Sequence, residues 1–144
     1  MIAVLDASAA VKLVLDERHS DRMRLLWDVP MRMVAPTVVL PEVASAIDGA
    51  RRAGRMDSPA ARRAQRAWVT LSEEIDLLAV DPLLAATARD LAAARPVRGM
   101  DAVYLAVATR LAERSIVGLV SFDPRQRDVV QPDDGVHLLP ATID

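Results

Sequence analysis

The chain has 144 residues, enough for one domain, expected over 1–144, with a core that holds without staples. At 52% hydrophobic and 26% charged it is not a disordered polymer, and the lack of cysteine excludes disulfides and thiolate metal sites. The net charge of −2 is not the basic balance of many nucleic-acid binders, so any polyanion would have to be held by local arginines and a bound cation. No apolar run approaches the ~20 residues of a membrane span, and the start lacks the basic region of a secretory signal. A cytoplasmic location without membrane contact is therefore expected.

Ile2–Leu5 is a short β-prone run that stops at Asp6, and a helical pattern over Ser8–Leu15 starts at once. A second helix is predicted over Ser20–Val29, with Met23, Leu26 and Trp27 on one face, and then a strand over Met33–Ala35. Thr37–Arg52 carries Val39, Val43, Ala46, Ile47 and Ala50 at helical spacing. Asp57-Ser58-Pro59, a cap with a first-turn proline, opens a helix over Ser58–Glu73. The strand Leu77–Val80 precedes a helix over Pro82–Arg95, which Asp81 opens in the same way. A strongly apolar helix follows over Asp101–Arg114, then a strand over Val117–Ser121, a short helix over Arg125–Val130 and a strand over Val136–Leu139. Strands alternating with helices predict an α/β fold whose central sheet, of about five strands, is mostly parallel with right-handed crossovers.

Four carboxylates stand out by position. Asp6 and Asp123 each follow a buried-strand pattern, which puts both at the carboxyl edge of the sheet, where ligands of open α/β folds sit. Asp101 starts the alanine-rich helix, and Glu42 lies among Val38, Val39, Leu40, Val43 and Ala44. Taken singly, each has an ordinary structural role. Asp6, Asp101 and Asp123 suit helix N-caps, and Glu42 suits an exposed position in an early turn, favoured by the helix dipole. Taken together, clustered carboxylates repel and call for a cation. An oxygen-only donor set without cysteine or a histidine pair suits Mg²⁺ or Mn²⁺ and not Zn²⁺. The chemistry that follows is phosphodiester hydrolysis.

Other constellations fail. His19 and His137 are isolated, expected on the surface or in loops, and there is no Gly-rich phosphate loop or nucleophile elbow. Ser8 and Ser121 lack a partnered histidine and suit orienting Asp6 and Asp123. A dehalogenase-type phosphatase needs a second aspartate where Ser8 stands, and a receiver domain needs a late lysine, whereas Lys12 is the only lysine present. Arg51, Arg52 and Arg55, followed by Arg62, Arg63 and Arg66, form either a basic rim for RNA phosphates or a solvated helix face. Arg125 and Arg127, just after Asp123, suit contact with a scissile phosphate or pairing with surface acids.

Val4-Leu5-Asp6-Ala7-Ser8-Ala9-Ala10-Val11-Lys12 resembles the opening of a PIN domain, in particular that of the VapC toxins of bacterial toxin–antitoxin pairs. Pro41-Glu42-Val43-Ala44-Ser45-Ala46-Ile47 resembles the second acidic motif of that family. Gly99-Met100-Asp101-Ala102-Val103-Tyr104-Leu105-Ala106-Val107-Ala108 resembles the third, and Val120-Ser121-Phe122-Asp123 the last, with Ser121 where threonine is common. The similarity runs from Ile2 to about Leu139. It implies a three-layer α/β/α PIN-like fold and a Mg²⁺- or Mn²⁺-dependent ribonuclease with Asp6, Glu42, Asp101 and Asp123 as the acidic site. Asp6 and Asp101 would be the firmest metal ligands and Asp123 a further one, direct or through water, while Glu42 would hold a water at the metal or help activate it. The resemblance also implies an RNA substrate and a cognate VapB-like antitoxin that obstructs the pocket. Apolar faces near Trp27 and Trp68 suit contacts with that antitoxin or a homodimer, with core packing expected of one of the two. The alternatives are a catalytically silent PIN-like module that binds RNA or protein, and a stand-alone PIN nuclease without an antitoxin.

Overall fold

In the computed structural model, which describes residues 1–144, the first strand β1 (Ile2–Leu5) stops at Asp6. The Asp6 carboxylate accepts the Ala9 N–H at 2.8 Å and so caps α1 (Ala7–Val14). The chain continues through α2 (Ser20–Trp27), β2 (Arg32–Pro36), α3 (Val39–Arg52), α4 (Ser58–Ser72), β3 (Asp76–Leu78) and α5 (Pro82–Ala94). It ends with α6 (Gly99–Ala112), β4 (Val117–Val120), α7 (Pro124–Asp128), a 3-10 turn at Pro132–Asp134 and β5 (Val136–Leu139). Asp57, Asp81 and Asp123 cap α4, α5 and α7 by accepting the N–H groups of Ala60, Leu84 and Arg125, each with a proline in the first turn.

The five strands lie in the order β3-β2-β1-β4-β5, every pair parallel. Helices cover both faces. On one side α1 packs against α2, α3 and α4, and on the other α5 packs against α6, which lies on β1, β2 and β4. This is the α/β/α arrangement the element order predicts. Strands buried on both faces read as continuous apolar runs, and β1 and β4 do so. Trp68 enters the core and donates its indole N–H to the Leu40 carbonyl at 3.2 Å, while Trp27 stays half-buried.

Several boundaries differ from the sequence pattern for local reasons. Thr37 does not start α3, because its N–H still donates to the Leu78 carbonyl and prolongs the β2–β3 ladder. The helix expected from Asp101 starts at Gly99, with Arg98 at the N-cap position, so Asp101 lies inside the first turn and caps nothing. The 3-10 turn was not anticipated. Arg95, at the end of α5, pins it with a two-pronged pair to Asp134 at 2.7 Å on both prongs, and both side chains are nearly buried.

Gly118 in β4 is fixed by a close approach: a Cβ there would lie 2.8 Å from Cγ of Leu139, which folds over it from β5. Overfilling a packed site costs about 1–3 kcal/mol. Gly118→Leu should therefore lower the urea midpoint without changing the slope of the transition. An unchanged midpoint would mean that Leu139 is free to turn aside.

Candidate acidic active site

The strand order reverses at β1, since β2 lies on one side of it and β4 on the other. A crevice at the carboxyl ends of such strands is the standard ligand site of an open parallel sheet. Asp6 leaves β1 there and its N–H donates to the Val120 carbonyl at 3.1 Å, which ties it to the end of β4. Ser8 Oγ donates to Asp6 Oδ1 at 2.7 Å and accepts the Phe122 N–H at 3.0 Å. Ser121 Oγ lies 3.5 Å from Ser8 Oγ and accepts the Asp123 N–H at 3.2 Å. The two serines thus lace Asp6 to the loop that carries Asp123.

Asp6 is 5% exposed, and burial raises its carboxyl from 3.8 to about 6. The neighbouring negative charge of Asp101 adds to the rise, while hydrogen bonds from Ser121, Ser8 and the Ala9 N–H oppose it. Asp123 divides its two oxygens: Oδ1 accepts the Arg125 N–H at 2.9 Å as a cap, and Oδ2 accepts from Arg98 Nη2 at 2.7 Å. Arg98 Nε donates to Asp101 Oδ2 at 2.7 Å, so one guanidinium bridges two of the four acids. Gln126 Nε2 donates to the Asp101 carbonyl at 3.0 Å and braces α7 against α6.

Glu42 stands half-buried in the first turn of α3 and accepts a short hydrogen bond from the hydroxyl of Tyr104. Burial, then the Glu42 bond and charge, raise the Tyr104 phenol above its usual value, so it remains a donor. Glu42, Arg98 and Asp101, with Gly99 and Met100, line an open cavity of about 480 Å³. The acids therefore meet in pairs at one end of the sheet, and no three of them converge on a single point.

The expected arginines divide. Arg127 is 8% exposed, with Nη1 on the Ser121 carbonyl at 3.0 Å and Nη2 on the Ala141 carbonyl at 2.8 Å. It ties the C-terminal tail to the end of β4, and this internal role replaces the phosphate contact expected of it. Arg125 is exposed and lines a second cavity of about 250 Å³ with Arg98 and Asp101. Arg51 and Arg52 both pair with Asp48, at 2.8 and 2.9 Å, and Arg55 is exposed. Arg51, Arg62 and Arg66 line a cleft of about 430 Å³ between α3 and α4.

The sequence pattern singles out neither Arg98 nor Tyr104 for the site, and it expects His19 only as a surface or loop residue. Arg98 and Tyr104 lie three residues before and after Asp101, a spacing that places side chains on one helix face and was the available signal. His19 sits in a left-handed conformation (φ 70°) with its ring stacked on Phe122, centroids 5.6 Å apart. That ring also lies 5.5 Å from Lys12 Nζ, so Phe122, between Ser121 and Asp123, has cationic and aromatic neighbours.

The PIN domain family model matches residues 3–131. Ribonuclease VapC45 of Mycobacterium tuberculosis is 28% identical over 143 residues, which is 99% of this chain and 98% of the relative. M. tuberculosis VapC20, described as a sarcin-ricin loop cleaving toxin, has a similar structure. Its TM-score is 0.66 at 20% identity, over 90% of this chain and 99% of the other. A chain of a toxin–antitoxin complex from Klebsiella pneumoniae gives 0.62 at 17% identity, over 93% and 94%. At these identities the structural likeness speaks for the fold.

Burial of Asp6 has a consequence for stability. A raised folded-state value means that the fold binds this proton more tightly than the unfolded chain does. The destabilisation is therefore absent below about 3.8 and fully present above about 6. The difference corresponds to about 3 kcal/mol. Asparagine keeps the capping oxygen without the charge. Asp6→Asn should then melt about 10 °C higher than the parent at pH 7.5 in chelator, with the gap closing toward pH 4. A lower melting temperature at pH 7.5 would overturn this account.

Proposed function

The chain belongs to the PIN-domain family, and from that premise we propose that it is a Mg²⁺- or Mn²⁺-dependent ribonuclease, the toxin of a VapC-type toxin–antitoxin pair. The reading is supported by how the acids are linked: Arg98 bridges Asp101 and Asp123, Asp101 shares a cavity with Glu42, and Asp6, at the end of β1, feels the charge of Asp101.

The donor set fits a hard divalent ion. All four groups are carboxylates, and a cation, the Arg98 guanidinium, is already drawn between two of them. Asp6 and Asp101 would hold the ion, with Asp123 reaching it through a water, since no three of the acids converge on one point. When bound, such an ion polarises a phosphoryl oxygen and makes a water more acidic. The protein supplies position and proton handling. Ser8, Ser121 and the Ala9 N–H fix Asp6 in one orientation. Tyr104 donates to one oxygen of Glu42 and leaves the other to orient a water and accept its proton. Arg125, on the rim, and Arg51, Arg52 and Arg55, on the α3–α4 hairpin, would contact the RNA backbone.

An antitoxin as partner is supported by the VapC relatives and by the toxin–antitoxin neighbour. A second copy of this chain as partner and a cytoplasmic setting belong to the same proposal. No helix is long and apolar enough to cross a membrane.

Purified protein should cleave RNA in Mg²⁺ or Mn²⁺ and stop when the metal is chelated. Asp6→Asn and Asp101→Asn should each lose at least about 100-fold in rate. Undiminished cleavage by both folded variants, or in chelator, would refute the site. Tyr104→Phe, which frees Glu42 from its donor, should slow single-turnover cleavage about 10-fold without unfolding the chain. An unchanged rate would place Glu42 outside the chemistry.

A further inference from the structure

Arg98 is the arginine whose guanidinium spans two acids of the acidic site. Its backbone is held at the N-cap of α6, where the Ala102 N–H donates to its carbonyl at 2.9 Å. Its side chain crosses to α7, with Nε on Asp101 and Nη2 on Asp123, both at 2.7 Å. The planar fork makes this possible: two N–H groups at fixed separation meet two carboxylates that would otherwise repel. The bridge is nevertheless loose. The Arg98 side chain is 58% exposed against 20% and 27% for its partners. Arg95, three residues earlier, makes the opposite kind of pair, 13% exposed on a partner that is 6% exposed.

The bridge also has room to open. Arg98 lies between the cavity it shares with Glu42 and the one it shares with Arg125, and Asp101 lines both. An outward swing of the guanidinium would join the two spaces and leave Asp101 and Asp123 facing each other, with the Asp6 carboxylate close enough to feel Asp101. We propose that Arg98 is a resident counter-ion for the acidic site, holding Asp101 and Asp123 until a divalent cation displaces it. This rests on the metal-dependent reading above. In the ion-free protein Arg98 neutralises the pair and keeps the loop after β4 docked to α6. Entry of a divalent ion requires the arginine to leave, so the affinity for metal reflects an exchange of cations and not simple filling of a site.

The exchange is testable on the full chain without an activity assay. In nitrogen-resolved NMR spectra of the metal-free protein, the Arg98 Nε–H should be protected from solvent. It should move to the position of a free arginine on titration with Mg²⁺, with the midpoint that calorimetry gives for Mg²⁺ binding. Arg98→Ala should bind Mg²⁺ and Mn²⁺ roughly 3- to 10-fold more tightly, as expected for releasing exposed ion pairs. Arg98→Lys, a point charge without the fork, should fall between. Arg110→Ala, which removes the same charge near the far end of α6, should leave the affinity unchanged. Saturation with Mg²⁺ while the Arg98 signal stays in place overturns the proposal, and so does equal or weaker binding by Arg98→Ala. Absence of any Mg²⁺ or Mn²⁺ binding overturns it together with the metal-dependent reading.

Discussion

Parallel pairing of β1 with β4 is the constraint on which the site depends. Residues 2 to 5 lie against residues 117 to 120, so the chain leaves both strands at one level and side by side. Asp6 and Asp123 become neighbours though more than a hundred residues separate them. The serines that follow or precede them, Ser8 and Ser121, close the remaining gap with hydroxyl contacts. The other two acids arrive on helix starts above the same edge, Glu42 in the first turn of α3 and Asp101 in that of α6.

Capping and chemistry are not rival roles here. Asp6 and Asp123 each use one oxygen to close a helix start, which fixes the carboxylate in orientation at the positive end of a backbone dipole. The other oxygen of Asp123 is thereby aimed at the crevice, where it meets Arg98. Capping supplies the rigidity that a site needs from its supporting contacts. What resists the arrangement is desolvation, felt most at Asp6, and the like charge that Asp101 adds to it. Both are relieved by a positive charge from outside or, at Asp101 and Asp123, from Arg98.

Much of this was legible in the chain. Ile2–Leu5 and Val136–Leu139 read as strands because each is a short β-prone run bounded by turn chemistry, and the Asp-Pro starts of α5 and α7 carry their own punctuation. The positions of Asp6 and Asp123 followed from strand ends. What could not be read is whatever depends on a partner distant in sequence. Asp101 is the local exception: close after Gly99 it looked like a cap, yet α6 starts at Gly99 and leaves its carboxylate for Arg98, three residues before it. Arg127 looked available because it follows Asp123 closely, yet the returning C-terminal tail gives it a carbonyl at Ala141 and buries it. The bond between Glu42 and Tyr104 spans 62 residues, and no local pattern announces it.

That last bond gives the protein an optical label of its own. Tyr104 is the one tyrosine in the chain, and its hydroxyl is bonded to one of the four acids. Near-ultraviolet absorption by a phenol shifts when the acceptor on its hydroxyl gains a proton or turns away, and with no second phenol present a difference spectrum separates that shift from the bands of Trp27 and Trp68. The state of Glu42 is thus written into a spectrum of the unmodified polypeptide, without dye, substrate or turnover.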